Sequence, residues 1–258
     1  FPYTTLFRSR RHAFGPWVFA AAAAYFLLHL YNILYMLNEP ENPAILVWRF
    51  SGSMGLVPDA MPLVAALPAA AAFAVDLNSG FAVPAVFRAG TGHYLRSKVL
   101  AACIGGGLAP LLGRLAFVVF LHILYRGDVA MAAEMFGSDG AIGVAFTGVG
   151  GYIGYFAAAL FVQFLAGAFW AAAALAFSAY VPNVLWTVCL PLILHRIFLE
   201  LDAWTNLPAW LNLSLLQDQE TELAFTPGLL AAVGIFGALI AIAALLFYRR
   251  GKRRLTYA

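Results

Sequence analysis

The sequence predicts an all-α, polytopic integral membrane protein with six transmembrane helices and both termini on the cytoplasmic side. Hydrophobic residues make up 63% of the 258 residues and charged residues only 10%, whereas a soluble domain is about 25% charged. So few charges cannot cover a water-facing surface, and the chain therefore belongs in a membrane. Six apolar runs come near the length of about 20 residues that a membrane helix needs. No segment has the pattern of a strand.

The six predicted spans are separated by short links and cover about residues 14–37, 58–75, 99–125, 148–181, 183–199 and 229–248. The second span is the weakest, because Pro62 and Pro68 interrupt it, although a membrane helix tolerates proline with a kink. Pro110 and Pro191 are expected to kink the third and fifth spans in the same way. Pro227 suits the beginning of the sixth.

The basic residues give the orientation, because short cytoplasmic loops carry the excess of lysine and arginine. Arg10 and Arg11 precede the first span, and three bases lie between the second and third spans. The sequence after the sixth span contributes five more: Arg249, Arg250, Lys252, Arg253 and Arg254. The opposite side has only Arg49 and Arg126, with most of the acids. Six spans with cytoplasmic termini place the three basic groups together, whereas five or seven spans would divide them.

The first nine residues, FPYTTLFRS, match the translated tail of a common sequencing adapter. They lack the apolar core of a signal peptide. We therefore expect residues 1–9 to be an assembly artefact fused to a truncated gene, and residues 10–258 to form a single six-span domain. A divergent natural N-terminus is the alternative.

Enzymatic motifs are absent from the sequence. It has no Gly-rich phosphate-binding loop that ends in Gly-Lys-Ser/Thr, so we expect no ATP hydrolysis and no cofactor in this chain. The five histidines are scattered, without metal-ligand spacing. Cys103 and Cys189 lie in apolar runs and are expected to be buried thiols. The net charge of +3 is small and unevenly placed, which argues against a nucleic-acid partner.

The segment between the second and third spans carries the most information about function. Asp76 ends the second span, Gly80 is expected to break the helix, and a short apolar stretch follows at 81–87. Bases frame this stretch, and Pro84 is expected to fix a local turn within it. An apolar stretch framed by bases suits a surface that docks into a groove on a cytoplasmic partner. The alternative is a membrane-surface loop whose bases meet anionic lipid.

This segment resembles the first intracellular loop of type-2 ABC (ABC-2) exporter permeases. In that family an acidic residue and a glycine precede a short coupling helix, and a Tyr-x-x-x-Lys element opens the third span. Tyr94 and Lys98 have this spacing. The chain length, the six-span layout and the tight turn at Pro182-Asn183 also fit. Phe81 departs from the pattern, which usually has a small polar residue after the glycine. The family also has an interface helix before the first span, and we expect most of it to be missing here because of the truncation.

The resemblance implies a multi-pass permease of the bacterial cell membrane that exports a substrate. Separate cytoplasmic ABC ATPase subunits would bind and hydrolyse ATP, and a second permease copy or a paralogue would complete the transporter. The ATPase-coupling loop would comprise Asp76, Gly80, Val83, Pro84, Phe87, Arg88, Tyr94, Arg96 and Lys98. Peptide, lipid, drug and sugar-chain substrates all stay open. The alternative function is a non-transporting membrane scaffold, or an immunity or sensor-associated protein.

Polar residues inside predicted spans are candidates for a substrate pathway, because they are costly in a bilayer. They are Arg114, His122 and Gln163. Arg114 lies roughly 22 Å into the third span, past the midplane. It could bind an anionic substrate group, pair with a carboxylate, or extend to the surface.

The sequence on either side of residue 200 belongs to the predicted outer surface. Arg196 is expected to pair with Glu200, one helical turn further on. The segment 202–226 is expected outside, and its apolar part, residues 207–217, is too short to span the membrane. Trp204 and Trp210 suit the membrane interface. Short helices on or in the outer leaflet are expected here, where type-2 exporters carry re-entrant helices.

Overall fold

The computed structural model describes residues 15–39, 41–53, 55–68, 70–125, 151–205, 208, 211–218 and 225–256. The adapter-like residues 1–9, the basic pair Arg10 and Arg11, the link 126–150 and Trp210 lie outside these residues. Within the described part, every regular element is a helix: α1 (Pro16–Asn32), a 3-10 helix (Leu34–Met36), α2 (Ala44–Ser53), α3 (Val57–Ala66), α4 (Ala72–Asn78), α5 (Ala82–Ala89), α6 (Thr91–Leu124), α7 (Gly151–Ser178), α8 (Val184–Thr205), α9 (Leu213–Asp218) and α10 (Phe225–Thr256). The all-α prediction is confirmed for this part of the chain.

Four of the described helices are long and apolar enough to cross a membrane. They are α6 over its whole length, α7 from Ile153, α8 as far as Leu201, and α10 from Thr226. These helices correspond to the third to sixth predicted spans. The described part of the chain is therefore all-helical, with four candidate membrane-spanning helices, and the apolar composition agrees with a membrane-embedded protein.

The regions predicted as the first and second spans have a more broken structure. Helix α1 has 17 residues and is followed by the 3-10 helix. The second predicted span is divided into α3 and α4, with a break that contains Pro68. Proline removes a backbone N–H and clashes with the preceding turn, so it favours a break at this point. Pro62, Pro110 and Pro191 lie inside helices that remain continuous.

Helix α7 lies at the centre of the bundle. In its apolar stretch 67% of the residues are buried, against 17% in the stretches of α8 and of α10. Glycines let α6 and α7 approach closely, because a Cβ atom at Gly167 would lie only 2.5 Å from the carbonyl oxygen of Gly106. Small residues at such a crossing allow tight packing of membrane helices.

Helix α2 was not predicted as an element. Its ten residues are too few to span a bilayer. Ile45, Val47 and Trp48 are nevertheless buried and pack with Phe117 of α6 in one apolar cluster. The cluster makes α2 part of the core and places its polar residues beside α1 and α6.

Candidate functional site

Helix α5, the expected coupling helix, is a short amphipathic element between two sharp turns. Gly80 and Gly90 have φ values of 69° and 77°, in the left-handed region that glycine adopts without strain. Gly80 therefore breaks the chain where the sequence predicts. Ala82 and Ala85 are buried, whereas the Phe87 side chain is 88% exposed.

Several of the predicted coupling residues form the exposed surface of this region. Val83, Pro84, Phe87 and Arg88 are exposed on α5, and Arg96 is exposed at the beginning of α6. Pro84 lies in the first turn of α5 and does not form a separate turn, which corrects the expectation for this residue. Proline is tolerated there because the first N–H groups of a helix have no partner within it.

Asp76, Tyr94 and Lys98 form a buried clamp between α4 and α6. The Lys98 Nζ atom lies 2.7 Å from Asp76 Oδ2, and the Tyr94 hydroxyl donates a hydrogen bond of 2.8 Å to the same oxygen. The Lys98 and Asp76 side chains are 3% and 1% exposed. Lys98, which was placed in the expected coupling loop, is turned inward onto Asp76 in this conformation. The Tyr-x-x-x-Lys spacing places both donors on one face of α6.

Arg114 and Gln163, two of the candidate pathway residues, meet at Asp218 of α9. Arg114 Nη1 lies 2.6 Å from Asp218 Oδ1, and Gln163 Nε2 donates to that oxygen at 3.1 Å. Gln163 Nε2 also donates to the backbone carbonyl of Gln217 at 3.0 Å. The Arg114 side chain is 2% exposed. Of the three roles considered for it, the structure therefore shows the pairing with a carboxylate.

The surroundings of Arg114 are aromatic and closely packed. Its guanidinium lies over the Trp48 ring at 4.2 Å from the centroid, a cation–π geometry that stabilises a desolvated arginine. A Cβ atom at Gly52 would lie 2.5 Å from Arg114 Nη2. Nearby, His29 Nδ1 lies 3.0 Å from Ser51 Oγ, and its ring stacks on Phe117. Trp48, Ser51 and Gly52 all belong to α2, which explains why this short helix matters for the site.

His122, the third candidate pathway residue, does not join this cluster. It lies two turns beyond Arg114 on α6, and its side chain is exposed. Its Nδ1 atom lies 2.8 Å from the carbonyl oxygen of Val118, and its ring meets the edge of Phe156. Two of the three candidate pathway residues, Arg114 and Gln163, are therefore joined through Asp218, whereas His122 lies apart from them.

A second ion-pair group joins α3 to α8. Arg196 Nη2 contacts Asp59 Oδ2. The prediction that Arg196 pairs with Glu200 is therefore wrong. The buried His195 Nε2 atom lies 3.8 Å from Asp59 Oδ1. Asp59 and Arg196 are 137 residues apart, and a rule based on one helical turn cannot find such a partner.

Sequence reasoning also missed Asp218 and Asp59 as members of these groups, because Asp218 lies outside every predicted span and Asp59 lies at the very beginning of the second. Among the described residues, no three histidine, cysteine, aspartate or glutamate side chains are grouped so that they could hold a metal ion. Comparison with protein-family models, curated proteins and solved structures finds no match to this chain.

Proposed function

We propose that this chain is the permease subunit of an ATP-driven ABC exporter in a bacterial cell membrane. It works with cytoplasmic ABC ATPase subunits and with a second permease copy or a paralogue. The observation that carries the proposal is α5, a short helix that exposes the large apolar side chain of Phe87 directly before the exposed base Arg88. An exposed phenylalanine on a rigid helix is an anchor suited to an apolar pocket on a partner protein.

The topology belongs to the same proposal. Residues 16–36 and 57–78 supply two further crossings, each of about 20 residues and the second with a break. Added to the four long helices, they give six spans with both termini in the cytoplasm. Helix α5 and the basic end of α10 then lie on the cytoplasmic side, where positive charge is favoured. Helix α9 lies at the outer side as a re-entrant element.

The buried clamp explains how a docked helix could act on the spans. Helix α5 follows α4 after a turn and precedes α6 directly. Asp76 at the end of α4 is joined to Tyr94 and Lys98 at the beginning of α6. Both ends of the short helix are therefore held to one another, and a force applied at Phe87 moves α4 and α6 together. Rigid-body rocking of packed helices is an established way to alternate access.

The buried group formed by Arg114, Gln163 and Asp218 is a second support for the transport role. Arg114 and Gln163 place charged and amide groups inside candidate spans. Such groups are retained in membrane proteins mainly for function. In this proposal they line the pathway in the conformation that binds substrate, while Asp218 occupies them in the conformation described here.

The proposal is tested first by reading the flanking DNA, where a neighbouring ABC ATPase gene favours the permease and an isolated gene favours the scaffold alternative. The ATPase so identified is then co-expressed with the tagged chain carrying Phe87→Ala. Truncation of a buried interface anchor costs about 1–3 kcal/mol of association energy, so the recovery of ATPase should fall while membrane insertion stays normal. Phe19→Ala is the matched control, because Phe19 is an exposed phenylalanine on α1, away from α5. Normal recovery and normal ATP turnover with Phe87→Ala would remove the proposal and favour the scaffold alternative.

A further inference from the structure

The turn between α7 and α8, residues 179–183, is held from two sides at the α5 end of the bundle. Asn78 Nδ2 donates a hydrogen bond of 3.0 Å to the Pro182 carbonyl oxygen. Arg254 Nη1 donates to the Ala179 carbonyl oxygen at 3.2 Å. Arg250, one turn before Arg254 on α10, lies over the Tyr180 ring at 5.2 Å. The turn therefore connects the end of α4 with the basic end of α10.

These contacts act on the two helix ends that the turn joins. Ala179 follows the last residue of α7, where carbonyl groups lack partners within the helix and carry partial negative charge. An arginine is a favourable partner for such carbonyls. Pro182 directly precedes Asn183, whose Oδ1 accepts the Trp186 N–H at 3.3 Å and caps α8. Asn78 thus holds the residue that precedes the cap of α8.

Asn78 connects the turn to the segment that carries the clamp. It is the last residue of α4 and lies two residues after Asp76 of the clamp. The same short segment is therefore joined to α6 through Asp76 and to the beginning of α8 through Asn78. Any displacement of this segment moves the turn directly, without first passing along α6 and α7.

We propose that the turn 179–183 is a second transmission point, through which the coupling segment moves α8 and α10. Asn78 and Arg254 are positioning residues in this arrangement. The inference rests on the proposed function, because it assumes that an ATPase displaces α5. It also gives Arg250 and Arg254 a role beyond the positive charge that orients the chain in the membrane.

The test uses the permease–ATPase complex with Cys103 and Cys189 replaced by serine and a single reporter, Leu201→Cys. Leu201 lies near the far end of α8 and is half exposed. The rate at which a maleimide labels the reporter is measured without nucleotide and with a non-hydrolysable ATP analogue. A coupled movement of α8 should change the rate about fivefold or more.

Two substitutions remove the contacts, and one serves as a matched control. Asn78→Asp keeps the shape but removes the donor to Pro182, and Arg254→Gln removes the charged donor to Ala179. Arg253→Gln removes the same charge from the adjacent position of α10, which carries neither contact to the turn. The nucleotide effect on labelling should be lost in the first two variants and kept in the third, while ATPase recovery is unchanged in all three.

The outcomes separate this inference from the proposed function. If the ATPase is recovered and the nucleotide effect survives in Asn78→Asp and Arg254→Gln, the turn is not a transmission point and the permease assignment stands. An absence of any nucleotide effect in the parent also overturns the inference, because α8 then does not respond. If Phe87 makes no contribution to ATPase recovery, the proposed function fails and this inference fails with it.

Discussion

Arg114 and Asp218 are 104 residues apart in the sequence, yet their side chains meet at 2.6 Å in the interior of the bundle. Both are nearly excluded from solvent, with exposures of 2% and 8%. The pair joins the long helix α6 to the six-residue helix α9, and Gln163 of α7 donates to the same carboxylate oxygen. A helix as short as α9 has no independent stability, so these bonds and the burial of Leu216 fix its position.

The loss of one partner of this pair should destabilise the protein strongly. Asp218→Asn leaves the Arg114 charge buried without its counter-charge, which typically costs about 3–5 kcal/mol. The double variant Arg114→Met, Asp218→Asn should recover part of that loss, because the uncompensated charge is gone. The measurement is the free energy of unfolding in detergent. Arg196→Gln is the control, since Arg196 is 60% exposed and its pair should contribute about 1 kcal/mol or less. Equal losses for both pairs would contradict the burial of Arg114.

Gly52 should tolerate no side chain while Arg114 keeps its position. Gly52→Ala places a Cβ atom 2.5 Å from Arg114 Nη2, and Asp218 and Trp48 hold the guanidinium in place. Overpacking of this kind costs about 1–3 kcal/mol. The loss should disappear in an Arg114→Ala background, which removes the clash. Gly234→Ala on α10 is the control, because nothing lies within 4 Å of a Cβ atom there. A loss that persists without Arg114 would show that Gly52 is required for another reason.

The Tyr94 hydroxyl should stabilise the clamp through its hydrogen bond to Asp76. Tyr94→Phe removes the 2.8 Å hydrogen bond to a buried carboxylate, and bonds to charged groups are worth about 1.5–3 kcal/mol. In an Asp76→Ala background the same change should cost almost nothing. Tyr31→Phe serves as the control, since the Tyr31 side chain is exposed. Unfolding measurements on the four combinations give the coupling energy, and simple additivity would separate Tyr94 from the clamp.

The six-span orientation gives a pattern of accessibility to an impermeant thiol reagent. In a background without Cys103 and Cys189, a cysteine at Asn42 should react from outside the cell, and one at Thr91 should not. Lys252→Cys is the second inner site, because Lys252 is exposed whereas the adjacent Gly251 lies against Leu95. Reaction of Thr91→Cys in intact cells would break the six-span model and the coupling assignment together.

Local chemistry made much of this fold predictable. Gly80 breaks the chain at the expected residue because a positive φ suits glycine alone, and the four long apolar runs form helices because their length and composition allow little else. The ends of α6 and α10 extend beyond the apolar runs, to Thr91 and Thr256. There the packing of Leu95 near Gly251 stabilises helical turns that hydrophobicity does not mark.

The site was less predictable, because its contacts join distant parts of the chain. The sequence singles out Arg114 as a cation inside a predicted span but gives no means of choosing Asp218 among the acids outside the spans. Lys98 was assigned to the coupling loop because of its Tyr-x-x-x-Lys spacing and the bases near it in the sequence, and its inward turn depends on the position of Asp76 in three dimensions. Helix α2 was missed because short buried helices lack the length signal of a span.

The central claim is that α5 docks onto an ABC ATPase through Phe87, and site-specific photo-crosslinking measures this contact directly. A photoreactive phenylalanine analogue is placed at position 87 in one preparation and at Trp204 in another. Both side chains are more than four-fifths exposed, but Trp204 lies on the proposed outer side. Illumination of the co-expressed complex should join position 87, and not position 204, to the ATPase subunit. No crosslink from position 87, or an equal yield from both positions, would contradict the account.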